Sequence, residues 1–160
     1  MGKEIERKFL VKKDKWTLFN TVISPVIPMI IIRQGYLFSS KEMTVRVRVM
    51  NGKGVITIKG KTEGLSRPEF EYEIPAGDAE ELLSFFCRDI IYKKRYSVSF
   101  NKNKLIVDEF LGENEGLILA EIELTEENQQ IDLPEWIGKE VSKDPHYYNS
   151  YLVKTPYKHW

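Results

Sequence analysis

Cysteine is almost missing from this chain: Cys87 stands alone among 160 residues. One thiol closes no internal disulfide and has no companion for a thiolate zinc site, so a reducing compartment, the cytoplasm, is the expected setting. Cys87 itself reads as a buried filler at the end of a helix. Histidine is nearly as scarce, with only His146 and His159. Neither has a carboxylate or cysteine at ligand spacing on a shared helix, so both are expected at the surface rather than on a metal. An excess of one charge is lacking too. The 24 basic and 24 acidic residues cancel, which argues against nucleic acid held by bulk attraction. The single long apolar run, Val22 to Ile32, is short for a membrane span, is broken by Pro25 and Pro28, and ends at Arg33. It reads as a buried connection leading into a strand, with no membrane partner. No apolar leader core, repeat or low-complexity tract appears, and the length suits one domain, residues 1–160.

What is present is alternation. In the first stretch, Met1 to Val11, a strand puts Glu4, Glu6 and Lys8 on one face and Ile5, Arg7, Phe9 and Val11 on the other. The pattern returns at 31–38, at 43–49 (Val45, Val47 and Val49 against Arg46 and Arg48), at 55–61, at 67–74 (Glu69, Glu71 and Glu73 against Phe70, Tyr72 and Ile74), at 90–100, at 105–110 and at 117–124. Asn51-Gly52 marks a tight hairpin. Asp14 is expected to cap a short helix carrying Trp16, Leu18 and Phe19. Asp78 should cap a longer one reaching Cys87, with Glu81 completing a capping box. Thr125 is expected to cap another short helix. A Pro/Gly/Trp segment, 133–138, leads to a terminal helix around 147–152. About eight hairpin-linked strands and a few short helices make a mainly β (α+β) fold, an antiparallel sheet or barrel.

The charges on these faces are sorted by sign. Glu4, Glu6, Glu69, Glu71, Glu73, Glu121 and Glu123 form an acidic set; Lys8, Arg46, Arg48, Lys59, Lys93 and Arg95 form a basic one. Like charges two apart on one strand face lie about 6.6 Å from each other and repel by roughly 0.6 kcal/mol even in water. Alternation alone leaves two readings open: the wet outer face of a half-buried sheet, or the lining of a closed barrel that holds a polyanion and a divalent metal. Lys61 and Arg67 border a loop and could reach the lining. Asp108 runs in phase with Ile106 and Phe110, so its direction is open, with Glu109 as the rival.

The residues also carry a resemblance. Glu4-Ile-Glu6-Arg-Lys8 resembles the Glu-x-Glu-x-Lys signature of the CYTH superfamily, the triphosphate tunnel metalloenzymes. The order continues through Arg33-Gln-Gly-Tyr-Leu37, Arg46-x-Arg48, Lys59, Leu65-Ser-Arg-x-Glu-Phe-Glu71, Lys93-x-Arg95, Asp108 and Glu121-x-Glu123. It covers nearly the whole chain and is nearest to the short bacterial members that resemble inorganic tripolyphosphatases. The resemblance implies an eight-stranded antiparallel closed barrel, a triphosphate tunnel, that cleaves its substrate with Mg2+ or Mn2+. It implies Glu4, Glu6, Asp108, Glu121 and Glu123 as metal ligands. Lys8, Arg46, Arg48, Lys59, Lys93 and Arg95 would bind the phosphates, and Lys8, Lys93, Glu69 and Glu71 would act in the reaction. Asp144-Pro-His-Tyr-Tyr-Asn149 resembles a family stretch that often has a basic residue where His146 stands; a mostly neutral histidine leaves that phosphate contact open. The expected partner is a small polyanionic triphosphate, inorganic tripolyphosphate first. Thiamine triphosphate, a nucleoside triphosphate and cyclisation of ATP are the alternatives within the class, and a non-catalytic polyphosphate-binding module the alternative outside it. A homodimer stays open.

Overall fold

The computed structural model describes residues 2–24 and 26–160, so Met1 of the expected first strand and the break at Pro25 lie outside the described residues. Alternating sequence becomes nine strands: β1 (Gly2–Val11), β2 (Met29–Ser39), β3 (Met43–Met50), β4 (Lys53–Gly60), β5 (Ser66–Ile74), β6 (Ile91–Phe100), β7 (Asn103–Phe110), β8 (Ile118–Glu123) and β9 (Ile137–Glu140). They run in the order β5-β4-β3-β2-β6-β7-β8-β1-β9, and a further β5–β1 pairing closes the first eight into a barrel. Every pairing is antiparallel. At the β3–β4 hairpin, Asn51 and Gly52 take φ of 51° and 74°, the double positive φ that an Asn-Gly turn supplies at low cost.

Two of the three apolar clusters lie outside the barrel wall. On one side Phe9, Trp16, Tyr96, Val98, Leu105, Val107, Ala120, Ile122, Trp136 and Ile137 form a core under helix α1 (Lys13–Leu18) and the chain before β9. Trp16 and Trp136 meet edge to face at 5.0 Å, the packing role expected of them. On the other side helix α2 (Ala76–Phe86) lays Ala79 and Leu83 on Val47, and Cys87 is buried with them. A third cluster lies within the barrel instead: Ile91, Phe110 and Leu119 are in strand phase with Lys93, Asp108 and Glu121, and with Leu117, Val141 and Leu152 they fill one end of it and seat helix α3 (Asn149–Leu152).

Sheet and helix approach closely where α2 docks. A Cβ built on Gly54 would fall 2.6 Å from Ala79 Cβ and 3.0 Å from the Ile74 carbonyl oxygen. Gly54→Ala should therefore lower stability by about 1–3 kcal/mol in chemical denaturation, as overpacking does elsewhere; unchanged stability would mean that α2 can slide.

Local expectations failed where long-range contacts took over. Asp14 and Asp78 sit in the first turns of α1 and α2 rather than at their caps; Lys12 and Pro75 occupy the cap positions and neither makes a side-chain cap bond. Both acids still favour the helix N-terminal dipole. No helix follows Thr125: its backbone N–H and hydroxyl both donate to Gln129 Oε1, at 2.9 Å each, closing a loop instead. β9 was not expected, because its pairing partner, β1, lies more than 120 residues earlier in the chain. No helix among the described residues is long and apolar enough to cross a membrane.

Candidate active site

With the apolar faces turned outward, the period of two sends the single-sign rows inward. β1 contributes Glu4, Glu6 and Lys8, β3 contributes Arg46 and Arg48, β4 Lys59, β5 Arg67 and Glu69, β6 Arg95, and β8 Glu121. All of these line a cavity of about 170 Å³. Six cations face four carboxylates there. The cost of gathering like charges on one strand is met by opposite charges on the neighbouring strands.

Three knots of charge result. Glu4 accepts from Lys59 at 2.7 Å and from Arg67 at 2.9 Å. Burial raises the pKa of Glu4, but these two cations outweigh it and hold the carboxyl down at about 2. Asp108 takes a two-pronged bond from Arg95, at 2.8 Å to each oxygen, and a third from Lys93 at 2.7 Å. Lys93 is wholly enclosed, and burial brings its ammonium down to about 7 despite Asp108. Arg48 reaches Glu71 at 2.9 Å, and Glu71 also accepts from Thr57 at 3.0 Å.

Glu6 differs from all of them. Its closest cation is Lys8 at 3.9 Å, and Lys8 is nearer to Glu121, at 3.0 Å. Burial first, then repulsion from Glu121 and Glu4, pushes the Glu6 carboxyl up to about 7. An acid in this condition accommodates added positive charge. Hard oxygen donors of this kind, one or two carboxylates together with substrate phosphates, suit a small divalent cation. Glu6 and Glu121 fit that description, although among the described residues no three acidic, histidine or cysteine side chains already converge as a ligand set.

The arginines give the complementary signal. Arg46 and Arg48 are buried side by side on β3, and the Nε–H of each has no hydrogen-bond partner among the described residues. Burial, Arg46 and Arg95 lower the Arg48 guanidinium to about 10. Both residues line the cavity, and two planar guanidiniums so placed are suited to an anion such as phosphate.

The remaining sequence-derived residues divide. Lys93 and Asp108 also turn into the barrel but are fully buried beneath Arg95 and Asn149 and do not line the cavity. Asp108, not Glu109, turns inward; Glu109 instead accepts from the Trp16 indole at 2.6 Å in the outer core. Glu71 and Glu123 line a second, more open concavity that it shares with Glu4 and Glu69. Glu73 pairs with Lys53 on the exposed side, and Lys61 with Glu42. Both histidines are exposed: His146 bonds Asp144 at 2.7 Å and does not line the cavity. Arg67, whose position bordering a loop left its reach open, is inside.

Sequence reasoning missed Tyr36, Ser142, Tyr148 and Asn149, which also face the cavity. Tyr36 was visible in strand phase with Gln34, and it is the register partner of Arg46. The other three sit in the C-terminal segment, where no periodicity announces them.

Fold and site together define a closed antiparallel β-barrel with two hydrophobic cores outside, an apolar plug at one end of the interior, and a mixed-charge, cation-rich cavity suited to a small polyanion. The chain belongs to the CYTH family, whose domain matches residues 2–148. It is 50% identical over 161 residues to an inorganic triphosphatase of Acetivibrio thermocellus, covering 100% of this chain and 99% of that one. It is 33% identical over 154 residues to an inorganic triphosphatase of Nitrosomonas europaea, covering 94% and 96%. The crystal structure of the inorganic triphosphatase NE1496 superposes with a TM-score of 0.66 at 29% identity, covering 96% of this chain and 95% of that one.

Proposed function

We propose that this protein is a triphosphatase that hydrolyses inorganic tripolyphosphate to diphosphate and phosphate inside the barrel. The observation that carries the reading is the cavity lining, where Lys8, Arg46, Arg48, Lys59, Arg67 and Arg95 face only four carboxylates. The relatives from Acetivibrio thermocellus and Nitrosomonas europaea, both named inorganic triphosphatase, favour a bare phosphate chain over a nucleotide or thiamine ester.

Phosphoryl transfer asks the protein mainly for positioning and charge neutralisation. Arg46, Arg48, Lys59 and Arg95, with Lys8, bind the phosphate oxygens and take up the charge that grows on the departing diphosphate. Lys93 supports this set from behind through Asp108. Glu69, which faces the cavity 3.6 Å from Lys59, orients the water that attacks the terminal phosphorus; its oxygen forms the new P–O bond as the bridging bond to diphosphate breaks. Glu71 braces Arg48 for the same step. Glu6 and Glu121 are the residues that would hold Mg2+ or Mn2+, while Glu4 and Asp108, expected in the same set, are taken up by Lys59 and Arg67 and by Arg95 and Lys93. When bound, the ion supplies Lewis-acid polarisation of the phosphoryl oxygens. A single buried thiol suits a cytoplasmic setting.

The test is phosphate release from tripolyphosphate, ATP and thiamine triphosphate, with Mg2+, with Mn2+ and with chelator. Release should be fastest from tripolyphosphate and abolished by chelator. Cyclic AMP from ATP would redirect the reading to a cyclase. Tight tripolyphosphate binding with no turnover under any metal would replace the enzyme by a binding module.

A further inference from the structure

The C-terminal segment is a fixed wall of the cavity. Leu152 is fully buried among Ile91, Phe110, Leu117 and Leu119. Ser142 Oγ accepts from the Lys8 backbone N–H at 2.9 Å, and the Tyr148 hydroxyl donates to the Ser142 carbonyl at 3.3 Å. The Lys8 ammonium lies 5.6 Å from the Tyr148 ring centre. Between these anchors stands Asn149, 9% exposed and lining the cavity.

Asn149 Oδ1 accepts from the enclosed Lys93 ammonium at 3.2 Å. An ammonium only donates, so the oxygen end of the amide must face it, and the NH2 end is thereby directed away. Neither N–H of that group has a protein acceptor among the described residues, and the nitrogen is not among the enclosed, unpartnered polar atoms. It is therefore open to the cavity that the residue lines. One planar group thus joins a buried cation on one side to open space for an anion on the other.

We infer that Asn149 is a substrate-binding residue, its Nδ2–H group donating to a phosphoryl oxygen while Oδ1 holds Lys93 in place behind it. The inference rests on the triphosphatase reading above. It adds the C-terminal segment to the phosphate cradle, and it makes a neutral donor, not a further cation, the discriminating element on that wall: a donor recognises phosphate oxygens without adding repulsion toward Lys8 and Lys93.

Two substitutions separate this from a purely structural tie. Asn149→Asp keeps an acceptor for Lys93 but replaces the donor by a negative oxygen; Asn149→Ala removes both. With tripolyphosphate as substrate, we expect KM to rise about tenfold in Asn149→Ala, the scale of one hydrogen bond to a charged group, and further in Asn149→Asp. The melting temperature should run the other way, with Asn149→Asp at or above the parent and Asn149→Ala below it. If the residue only anchors Lys93, which Asp108 still holds, the neutral Asn149→Ala variant will lose stability but keep the parent's KM, and the inference is overturned while the triphosphatase reading stands. A parent protein that neither binds nor hydrolyses tripolyphosphate would overturn both.

Discussion

Glu6→Gln will lose about a hundredfold or more in tripolyphosphate hydrolysis and will be at least as stable as the parent. Both halves follow from one environment. Among the described residues Glu6 has no cation closer than 3.9 Å, and it is repelled by Glu121 and Glu4, so removing its charge relieves strain in the free protein. If it helps hold the divalent ion, the same change removes a ligand, and losses of 10–100-fold are already typical of changes one layer further out. The pH dependence has a definite sign. The carboxyl titrates near 4.5 in the unfolded chain and at about 7 in the folded one. Its folded pKa is raised, so the stability it contributes is complete below about pH 4.5 and is lost as pH rises through 7. In chelator-containing buffer the stability advantage of Glu6→Gln should therefore open between pH 4.5 and 7 and then level. Parallel stability profiles for variant and parent would show that the acid is not under this pressure.

Asp108→Asn should do the reverse to the fold. Asp108 is the shared counter-charge of Arg95 and Lys93, both of which lie inside the barrel. Neutralising it leaves two cations facing each other, with Glu121 at 3.7 Å from Arg95 as the nearest remaining acid. Lys93 can shed its proton, but Arg95 cannot. Breaking a buried pair from one side costs about 3–5 kcal/mol, which for a chain of this size is a fall of roughly 10 °C in melting temperature. The double variant Asp108→Asn/Lys93→Met should recover part of that loss, because one orphaned charge goes with its partner. If the single variant melts with the parent, the knot contributes nothing to the fold.

These two carboxylates were indistinguishable as letters. Both belong to the ligand set that the resemblance implied, and both are acids on strands. What separates them is who stands opposite: Asp108 meets Arg95 in register across β6 and β7, whereas Glu6 meets Glu123 across β1 and β8. Strand phase also left Asp108 and Glu109 as rivals, since its neighbours in phase, Ile106 and Phe110, are apolar. The structure decided for Asp108, because the Trp16 indole on the outer side needs an acceptor and Glu109 supplies it. The helix expected after Thr125 failed for a similar reason. A side-chain acceptor four residues on, Gln129, satisfied the groups that a helix would have used.

Period-two alternation and the sorting of charge by sign were written in the chain itself. They specified the strands, the apolar side of each, and most of the cavity lining, because side-chain direction along a strand needs no knowledge of distant residues. Which side became the interior was not a local property. It required β5 to meet β1, and α1, α2 and the chain before β9 to cover the apolar faces from outside. Nor could alternation disclose Asn149, Tyr148 or Ser142. They reach the cavity because Leu152 is buried against Ile91 and Phe110, a contact between parts of the chain that only the closed barrel brings together.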